Sequence, residues 1–252
     1  MRLKIMNYDY LNEYVERNID SFHQKRLENL EKFKLEKLLS RKNIYMMKAK
    51  NINTAHDFVK ALLDAHLSSQ EETMFGDFLE GLAIFINNKI YGGKKSSTQG
   101  IDLEFEKNGI IYLISIKSGP NWGNSSQINK MRSDFNTAKK VLRQNNREIN
   151  ISAINGCCYG RDSNPDKGDY FKYCGQLFWE LISGDSQMFI RIIEPIGYKA
   201  KEKNDNFYKS YSAVVNKFTK NFLINFSDNS GNIDWEKLLI FNSSKEKNGK
   251  LN

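Results

Sequence analysis

The strongest constraint on the fold is a pair of alternating segments, residues 101–107 and 110–117, separated only by Asn108-Gly109. An Asn-Gly pair suits the two-residue type I′ turn, in which both central residues take positive φ. We therefore predict a β-hairpin in which Lys107 pairs with Ile110.

The alternation divides the predicted hairpin into an apolar and a polar face, because successive side chains of a strand point to opposite faces. The apolar face carries Ile101, Leu103, Phe105, Ile110, Tyr112, Ile114 and Ile116. The polar face carries Asp102, Glu104, Glu106, Ser115 and Lys117. The register places Asp102 opposite Ser115 and Glu104 opposite Leu113, with opposed Cβ atoms roughly 5 Å apart. We therefore expect Asp102, Glu104, Ser115 and Lys117 to form one cluster.

Such a cluster combines ligands for a hard cation with a basic side chain. Carboxylate oxygens are ligands that Mg²⁺ prefers. A lysine beside the metal can orient or deprotonate a water, or stabilise negative charge on a phosphate. A solvated outer face of a hairpin would show the same alternation. The functional interpretation is favoured by the glycine before Asp102, the Ser-Gly-Pro-Asn turn after Lys117 and the basic net charge.

This spacing resembles the active-site hairpin of the PD-(D/E)xK nucleases, in which an Asp on one strand meets a (D/E)xK tripeptide on the next. Asp102 matches the first Asp, and Ser115-Ile116-Lys117 matches the tripeptide, with Ser115 in place of the acid. The preceding segment 76–83, GDFLEGLA, looks like the helix that precedes the Asp strand in many members. Gly76 and Glu80 share a face of this helix, since they are four residues apart.

The resemblance implies a set of catalytic and metal-binding residues. Mg²⁺ would be bound by Asp102 with help from Glu80 or Glu104. The sequence does not decide which of Glu80, Glu104 and Glu72 completes the site, and helix capping already explains Glu72. Lys117 would orient the attacking water and stabilise the transition state. Ser115 would hydrogen-bond a water of the site.

The segments after the hairpin contain candidate DNA-binding side chains. They are Asn121, Asn124, Ser125 and Gln127 in the turn, Lys130 and Arg132 on a predicted helix 126–145, and Arg161 in a predicted polar loop 159–172. Asn and Gln can pair with adenine and Arg with guanine, and a basic helix face can follow a DNA backbone. A turn followed by a helix cap at Asn124 or Ser125, and a solvated basic face, explain the same residues equally well.

Composition favours a nucleic-acid partner. The 252 residues carry a net charge of +8, with a pI of about 9.2.

There is no apolar run near 20 residues and no signal-peptide pattern at the N-terminus, so we expect a cytoplasmic protein without membrane association. The three cysteines lack the spacing of a zinc site or of a disulfide framework.

The order of predicted elements indicates an α/β fold, a mixed β-sheet flanked by helices, with N- and C-terminal helical extensions. We predict one nuclease domain over 1–252, with a helical region 1–67, a catalytic core 68–160 and a recognition and C-terminal helical region 161–252. Within it we expect a helix over 8–40, a basic loop over 41–50, and a helix from Asn53 or Thr54 to Leu67. A new helix then starts at Ser68-Ser69, a strand covers 149–158, and the C-terminal tail frays.

The resemblance extends to the type II restriction endonucleases, and implies Mg²⁺-dependent, sequence-specific cleavage of both strands of double-stranded DNA. Cleavage of a palindrome by two symmetry-related active sites implies a homodimer, and a cognate DNA methyltransferase would act on the same site. Two alternatives stay open: a structure-directed DNA repair or recombination nuclease, and a non-catalytic DNA-binding protein on a nuclease fold. Ser115 is the best support for the latter.

Overall fold

A computed structural model describes residues 8–145 and 148–245. They divide into two compact units. The sheet unit contains residues 8–20 and 73–198, and the helical unit contains Ser21–Glu72 and 199–245. Two predictions fall on residues outside the described ranges. Residues 1–7 belong to the N-terminal segment in which no signal peptide was expected, and residues 246–252 make up most of the tail that was expected to fray.

The elements follow one another in the order of an α/β protein. The first four helices are α1 (Asp9–Glu31), α2 (Leu35–Leu39), α3 (Ile44–Ala49) and α4 (Ala55–Tyr91). The hairpin β1 (Leu103–Lys107) and β2 (Ile110–Lys117) leads to α5 (Ser125–Asn145), β3 (Asn150–Cys157) and β4 (Phe171–Cys174). The last helices are α6 (Gln176–Ser183), α7 (Met188–Arg191), α8 (Ile193–Ile196), α9 (Ala200–Phe226) and α10 (Trp235–Ser243).

The strands form a four-stranded mixed sheet in the order β1-β2-β3-β4. The first pair is antiparallel and the other two pairs are parallel. A mixed sheet flanked by helices was predicted, and this prediction is confirmed. Strand β4 was missed, because its four residues are too short to show an alternating pattern beside the polar loop that precedes it.

The hairpin has the predicted register, with Lys107 opposite Ile110 and Glu104 opposite Leu113. Asn108 and Gly109 both take positive φ, at 54° and 75°, as a type I′ turn requires. The turn chemistry and the alternation therefore fix which side chains of the two strands face each other.

Helices cover both faces of the sheet. On the face of Leu113 and Ala153, α5 packs Met131, Phe135 and Ala138 into a buried cluster. Ile101 joins this cluster, so its predicted place beside Leu103 and Phe105 is wrong. It precedes β1 and follows Gly100, whose φ of 78° turns the chain before strand alternation begins.

The opposite face of the sheet is covered by aromatic residues of two helices. The Tyr91 ring of α4 stacks on Phe105 with ring centroids 5.5 Å apart. The Phe178 ring of α6 fills the space that a side chain at Gly156 would occupy. Both faces of the sheet are therefore part of the core of the sheet unit.

The helical unit corrects three predictions made from local signals. Residues 44–49 form α3 rather than a loop, because Asn43 accepts a hydrogen bond from the Met46 N–H and Ile44 and Met47 are buried. The helix predicted over 8–40 is interrupted at 32–34. The helix capped by Thr54 continues through Ser68-Ser69 as α4, so no new helix starts there.

None of the helices in the described ranges combines the length and the apolar character needed to cross a membrane.

Candidate active site

Three of the four predicted cluster residues meet at the end of the hairpin. The Asp102 carboxylate accepts a 2.7 Å hydrogen bond from the Ile116 N–H and lies 3.5 Å from the Ser115 hydroxyl. The Lys117 ammonium lies 3.9 Å from the same Asp102 oxygen. A carboxylate, a hydroxyl and an ammonium are therefore brought together by the hairpin register.

The hairpin holds Asp102 in place through its backbone as well. The Asp102 N–H donates to the Ile114 carbonyl at 2.8 Å, which ties the residue before β1 to β2. The side chains of Asp102 and Lys117 are 23% and 30% exposed, whereas Ser115 is buried. The two charged groups are therefore accessible to a ligand and lie close enough together to act on the same bound group.

Helix α4 brings Glu80 to this group. A Cβ on Gly76 would lie 3.3 Å from the Ser118 Cβ, so the absence of a side chain lets the helix approach the end of β2 closely. Burial raises the pKa of Glu80, and the negative charge of Asp102 raises it further. The Lys95 ammonium, 3.3 Å from Glu80, acts in the opposite direction.

The other candidate glutamate, Glu104, has a different partner. The Glu104 carboxylate accepts a hydrogen bond from the Ser96 hydroxyl at 3.2 Å. The backbone of Glu104 pairs with that of Lys94 in an isolated β-bridge. The structure therefore engages Glu104 with the segment 94–96, and Glu80 is the glutamate whose charge interacts with Asp102.

Two residues that the sequence analysis did not single out support Lys117 and Ser115. The Lys117 ammonium lies 5.3 Å from the centre of the Trp122 ring, within cation–π range. The Trp122 indole N–H donates to the Asn155 side chain at 3.0 Å, and the Asn155 amide donates to the Ser115 carbonyl at 3.3 Å.

Asn155 is the more informative of these two residues. It is 1% exposed, lies on β3, and its Cα pairs with that of Ser115 on β2. An asparagine inside a buried strand was the available signal, because a buried amide needs hydrogen-bond partners. Nothing in the sequence identified Trp122 as one of them.

The predicted DNA-binding residues fall into two groups. Asn124 and Gln127 are engaged with each other: the Asn124 side chain accepts from the Gln127 N–H at 3.0 Å, and the Gln127 side chain accepts from the Asn124 N–H at 2.9 Å. Lys130 is paired with Asp134, and Arg132 with Asp169 at 3.5 Å. The remaining three, Asn121, Ser125 and Arg161, are exposed.

The reciprocal bonds of Asn124 and Gln127 form a capping box at the start of α5. This is the structural alternative that the sequence analysis left open for Asn124. Arg161 lines a cavity of about 610 Å³ in the sheet unit, together with Tyr159, Leu177 and Phe189. No hydrogen-bond or ion-pair partner of the Arg161 side chain lies within the described ranges, so its guanidinium can reach a ligand in this cavity.

The oxygen atoms of the site suit a hard cation. Asp102 and Glu80 supply carboxylates and Ser115 a hydroxyl. Burial first and the negative charge of Asp102 second raise the pKa of Glu80, and a bound cation would offset both effects. Within residues 8–145 and 148–245, no group of three or more His, Cys, Asp or Glu side chains comes together as a metal site. The acid that would complete such a group is the one replaced by Ser115.

The comparisons with known proteins identify the family. The sequence model of the family described as type II restriction endonuclease EcoO109I matches residues 9–204. No curated protein gives a significant match to the chain. The matched range includes Glu80, Asp102 and Lys117, and covers most of the chain. This match favours a restriction endonuclease over the structure-directed repair nuclease that the sequence left open. The chain belongs to the EcoO109I family of type II restriction endonucleases.

Proposed function

We propose that the protein cleaves both strands of double-stranded DNA at a specific sequence, by Mg²⁺-dependent hydrolysis of a phosphodiester. The observation that carries this proposal is the meeting of Asp102 and Lys117 on the hairpin, 3.9 Å apart, with the charge of Glu80 supplied by α4. Two carboxylates and an ammonium at the accessible end of a hairpin suit the chemistry of a metal-assisted nuclease.

Asp102 and Glu80 are the residues that would bind Mg²⁺, with Glu104 as the third candidate. The bound cation would lower the pKa of a water and offset negative charge on the phosphate. Asp102 is held for this role by the Ile116 N–H. Glu80 is held by Lys95 and by the close approach of α4 at Gly76.

Lys117 is proposed to orient the attacking water and to stabilise negative charge that develops on the phosphate. Its ammonium is partly exposed and has Asp102 on one side and the Trp122 ring on the other. These two contacts restrict a long and flexible side chain to one region of the site. A lysine fixed in this way loses less conformational entropy when the substrate binds.

Ser115 favours a second candidate function. A hydroxyl is a weaker Mg²⁺ ligand than a carboxylate, so its position at the acid of the tripeptide would suit a DNA-binding protein that does not cleave. Against this, the Ser115 hydroxyl lies only 3.5 Å from Asp102 and can hydrogen-bond a water of the site. We therefore place cleavage first.

The DNA-binding surface is proposed to include Asn121, Ser125 and Arg161, the exposed candidates that take no part in the capping box or in an ion pair within the described residues. Lys130 and Arg132 would contact the DNA backbone by exchanging their aspartate partners for phosphates.

Cutting both strands of a palindrome requires two copies of the active site, so we also propose a homodimer. A cognate methyltransferase would protect the same sequence in the cell.

The test is incubation of the purified protein with unmethylated phage DNA in Mg²⁺, beside EDTA and a Lys117→Ala variant. Lys217→Ala is the matched control, because Lys217 is an exposed lysine of the helical unit. We expect discrete fragments with the wild type and Lys217→Ala, and none with EDTA or Lys117→Ala. Sequencing of the fragment ends would then give the recognition site.

The same samples separate the two candidate functions. Intact DNA under conditions where a gel shift shows sequence-specific binding would support the binding protein and overturn the nuclease. Fragments that persist in Lys117→Ala would keep the nuclease but remove Lys117 from its mechanism.

A further inference from the structure

The helical unit contains a pocket of about 200 Å³ whose rim is strongly basic. The residues that matter for its chemistry are Lys32, Lys34, Lys37, Arg41, His66 and Gln70. All of them belong to the helical unit, whereas the candidate active site belongs to the sheet unit. The pocket is therefore a separate feature that the proposed cleavage chemistry does not use.

The charge around this pocket is largely uncompensated. Residues 32–42 contain Lys32, Lys34, Lys37, Arg41 and Lys42, with Glu36 as the one acid. Lys32 is paired with Glu28 at 3.2 Å. In the described part of the chain, Lys34, Lys37 and Arg41 have no ion-pair partner. Like charges held together in this way favour an anionic ligand.

The pocket has walls as well as charge, which distinguishes it from a flat basic surface. The Phe33 ring packs edge-on against His66, with ring centroids 4.7 Å apart, and Leu38 is buried. The Gln70 side-chain oxygen is buried without a hydrogen-bond partner in the described residues. An amide oxygen only accepts hydrogen bonds, so this atom calls for a donor such as a water or a lysine ammonium at the wall of the pocket. The oxygens of a bound anion would be held by the lysine and arginine side chains instead.

His66 reports on the same charge. Its pKa is lowered by burial first, and then by the positive charges of Lys42, Arg41 and Lys37. The imidazole therefore faces a positive field, and an anion in the pocket would cancel part of that field. The pKa of His66 would then rise.

We propose that this pocket binds a phosphate group, supplied either by the backbone of a nucleic acid or by free phosphate. Lysine and arginine side chains are the usual ligands of phosphate oxygens. The pocket volume of about 200 Å³ is sufficient for a phosphate group, since a single water takes up only about 30 Å³ in the liquid. The nucleic-acid source rests on the proposed function, and the free-phosphate source does not.

The test measures the His66 imidazole by NMR in EDTA, so that no DNA is cleaved. The chain contains only His23, His56 and His66, and His66→Gln assigns the signal. The protein is titrated separately with inorganic phosphate and with a short DNA duplex. The double variant Lys37→Gln/Arg41→Gln is compared with Lys217→Gln/Lys220→Gln, which removes the same charge from exposed positions of the same unit.

We expect the duplex to raise the pKa of His66 in the wild type and in the control, but not in the pocket variant. The pocket variant should bind the duplex about tenfold more weakly, with the slope of log K against log salt reduced by about 1 to 2. A response to the duplex but not to phosphate would identify a nucleic-acid backbone as the source. A response to phosphate alone would identify free phosphate.

The proposal is overturned if neither probe moves His66, or if the probe that moves His66 does so equally in the pocket variant and in the control variant. Failure of the proposed function is scored separately, by the absence of cleavage in Mg²⁺. A protein that does not bind DNA can still show the phosphate response.

Discussion

The Cβ that Gly76 lacks would lie 3.3 Å from the Cβ of Ser118, so α4 meets the end of β2 where only a glycine leaves the contact undisturbed. Glu80 follows one turn later on the same face of the helix. This contact between helix and strand therefore controls how closely the Glu80 carboxylate approaches Asp102.

Replacement of Gly76 by leucine should separate the helix from the strand. We expect Gly76→Leu to lower the free energy of unfolding by about 1–3 kcal/mol, because extra atoms are forced into a packed contact. Cleavage should fall further than the stability loss explains, since Glu80 is displaced. Thermal unfolding and cleavage rate measure the two effects.

The control is Ala65→Leu, at an exposed position of the same helix, which should change stability by less than about 0.5 kcal/mol. Wild-type behaviour of Gly76→Leu would contradict this account.

The raised pKa of Glu80 predicts a pH-dependent stability in EDTA. A carboxyl whose pKa is higher in the folded than in the unfolded protein binds its proton more tightly when folded. Stability is therefore lost as the pH rises from the ordinary value of 4.5 through the folded pKa. Glu80→Gln should match the wild type at the acid end of this window and be more stable above it, in melting curves across pH.

Two comparisons check the cause of this pH effect. Glu72→Gln, at an exposed position of the same helix, should show no such gain. Mg²⁺ should raise the melting temperature of the wild type above the window, but not that of Glu80→Gln. An equal response of the two proteins to Mg²⁺ would remove Glu80 from the metal site.

An acid at position 115 should make the site more dependent on metal. Ser115 is buried and lies 3.5 Å from Asp102. We expect Ser115→Asp to lose at least about 2 kcal/mol of stability in EDTA, because two carboxylates are then buried together. Mg²⁺ should restore most of this loss. The control is Ser115→Asn, because asparagine has nearly the same size as aspartate but carries no charge. A similar stabilisation of both variants by Mg²⁺ would argue against a cation at this position.

Trp122 is expected to act as a positioning residue for Lys117. A cation–π contact contributes about 0.5–2 kcal/mol, so Trp122→Leu should lower the cleavage rate by roughly 2- to 30-fold. DNA affinity should stay near that of the wild type. Trp235, whose ring lies 4.7 Å from the Lys48 ammonium in the helical unit, offers a matched control. Trp235→Leu should lower stability but not the rate per folded molecule, and equal rate losses in both variants would refute the assignment.

The capping box at the start of α5 separates two roles of Asn124. Serine also caps helices well, whereas alanine does not, and the change to alanine costs about 0.5–2 kcal/mol. We expect Asn124→Ser to keep both the stability and the cleavage site, and Asn124→Ala to lose stability. Melting curves and mapped cleavage sites provide the measurements. A changed site preference in Asn124→Ser would show that the amide reads a base instead.

Local sequence patterns were enough to predict the parts of this protein that are encoded within a few neighbouring residues. The Asn108-Gly109 turn and the alternation around it fixed the hairpin register, and with it the meeting of Asp102, Ser115 and Lys117. The cap at Asn124 and the helix that carries Glu80 were likewise visible as local patterns. Turn chemistry, capping and strand periodicity act at short range, so they can be read without knowing the fold.

Packing between distant residues determined which of these local signals prevailed and which side chains came into contact. The segment 44–49 became a helix because Ile44 and Met47 are buried among distant residues. Glu104 was engaged by Ser96, while the charge of Glu80 came to act on the hairpin site. The link from Asn155 through Trp122 to Lys117 joins side chains on separate elements. Such contacts depend on packing between residues far apart in the chain, and no local pattern encodes them.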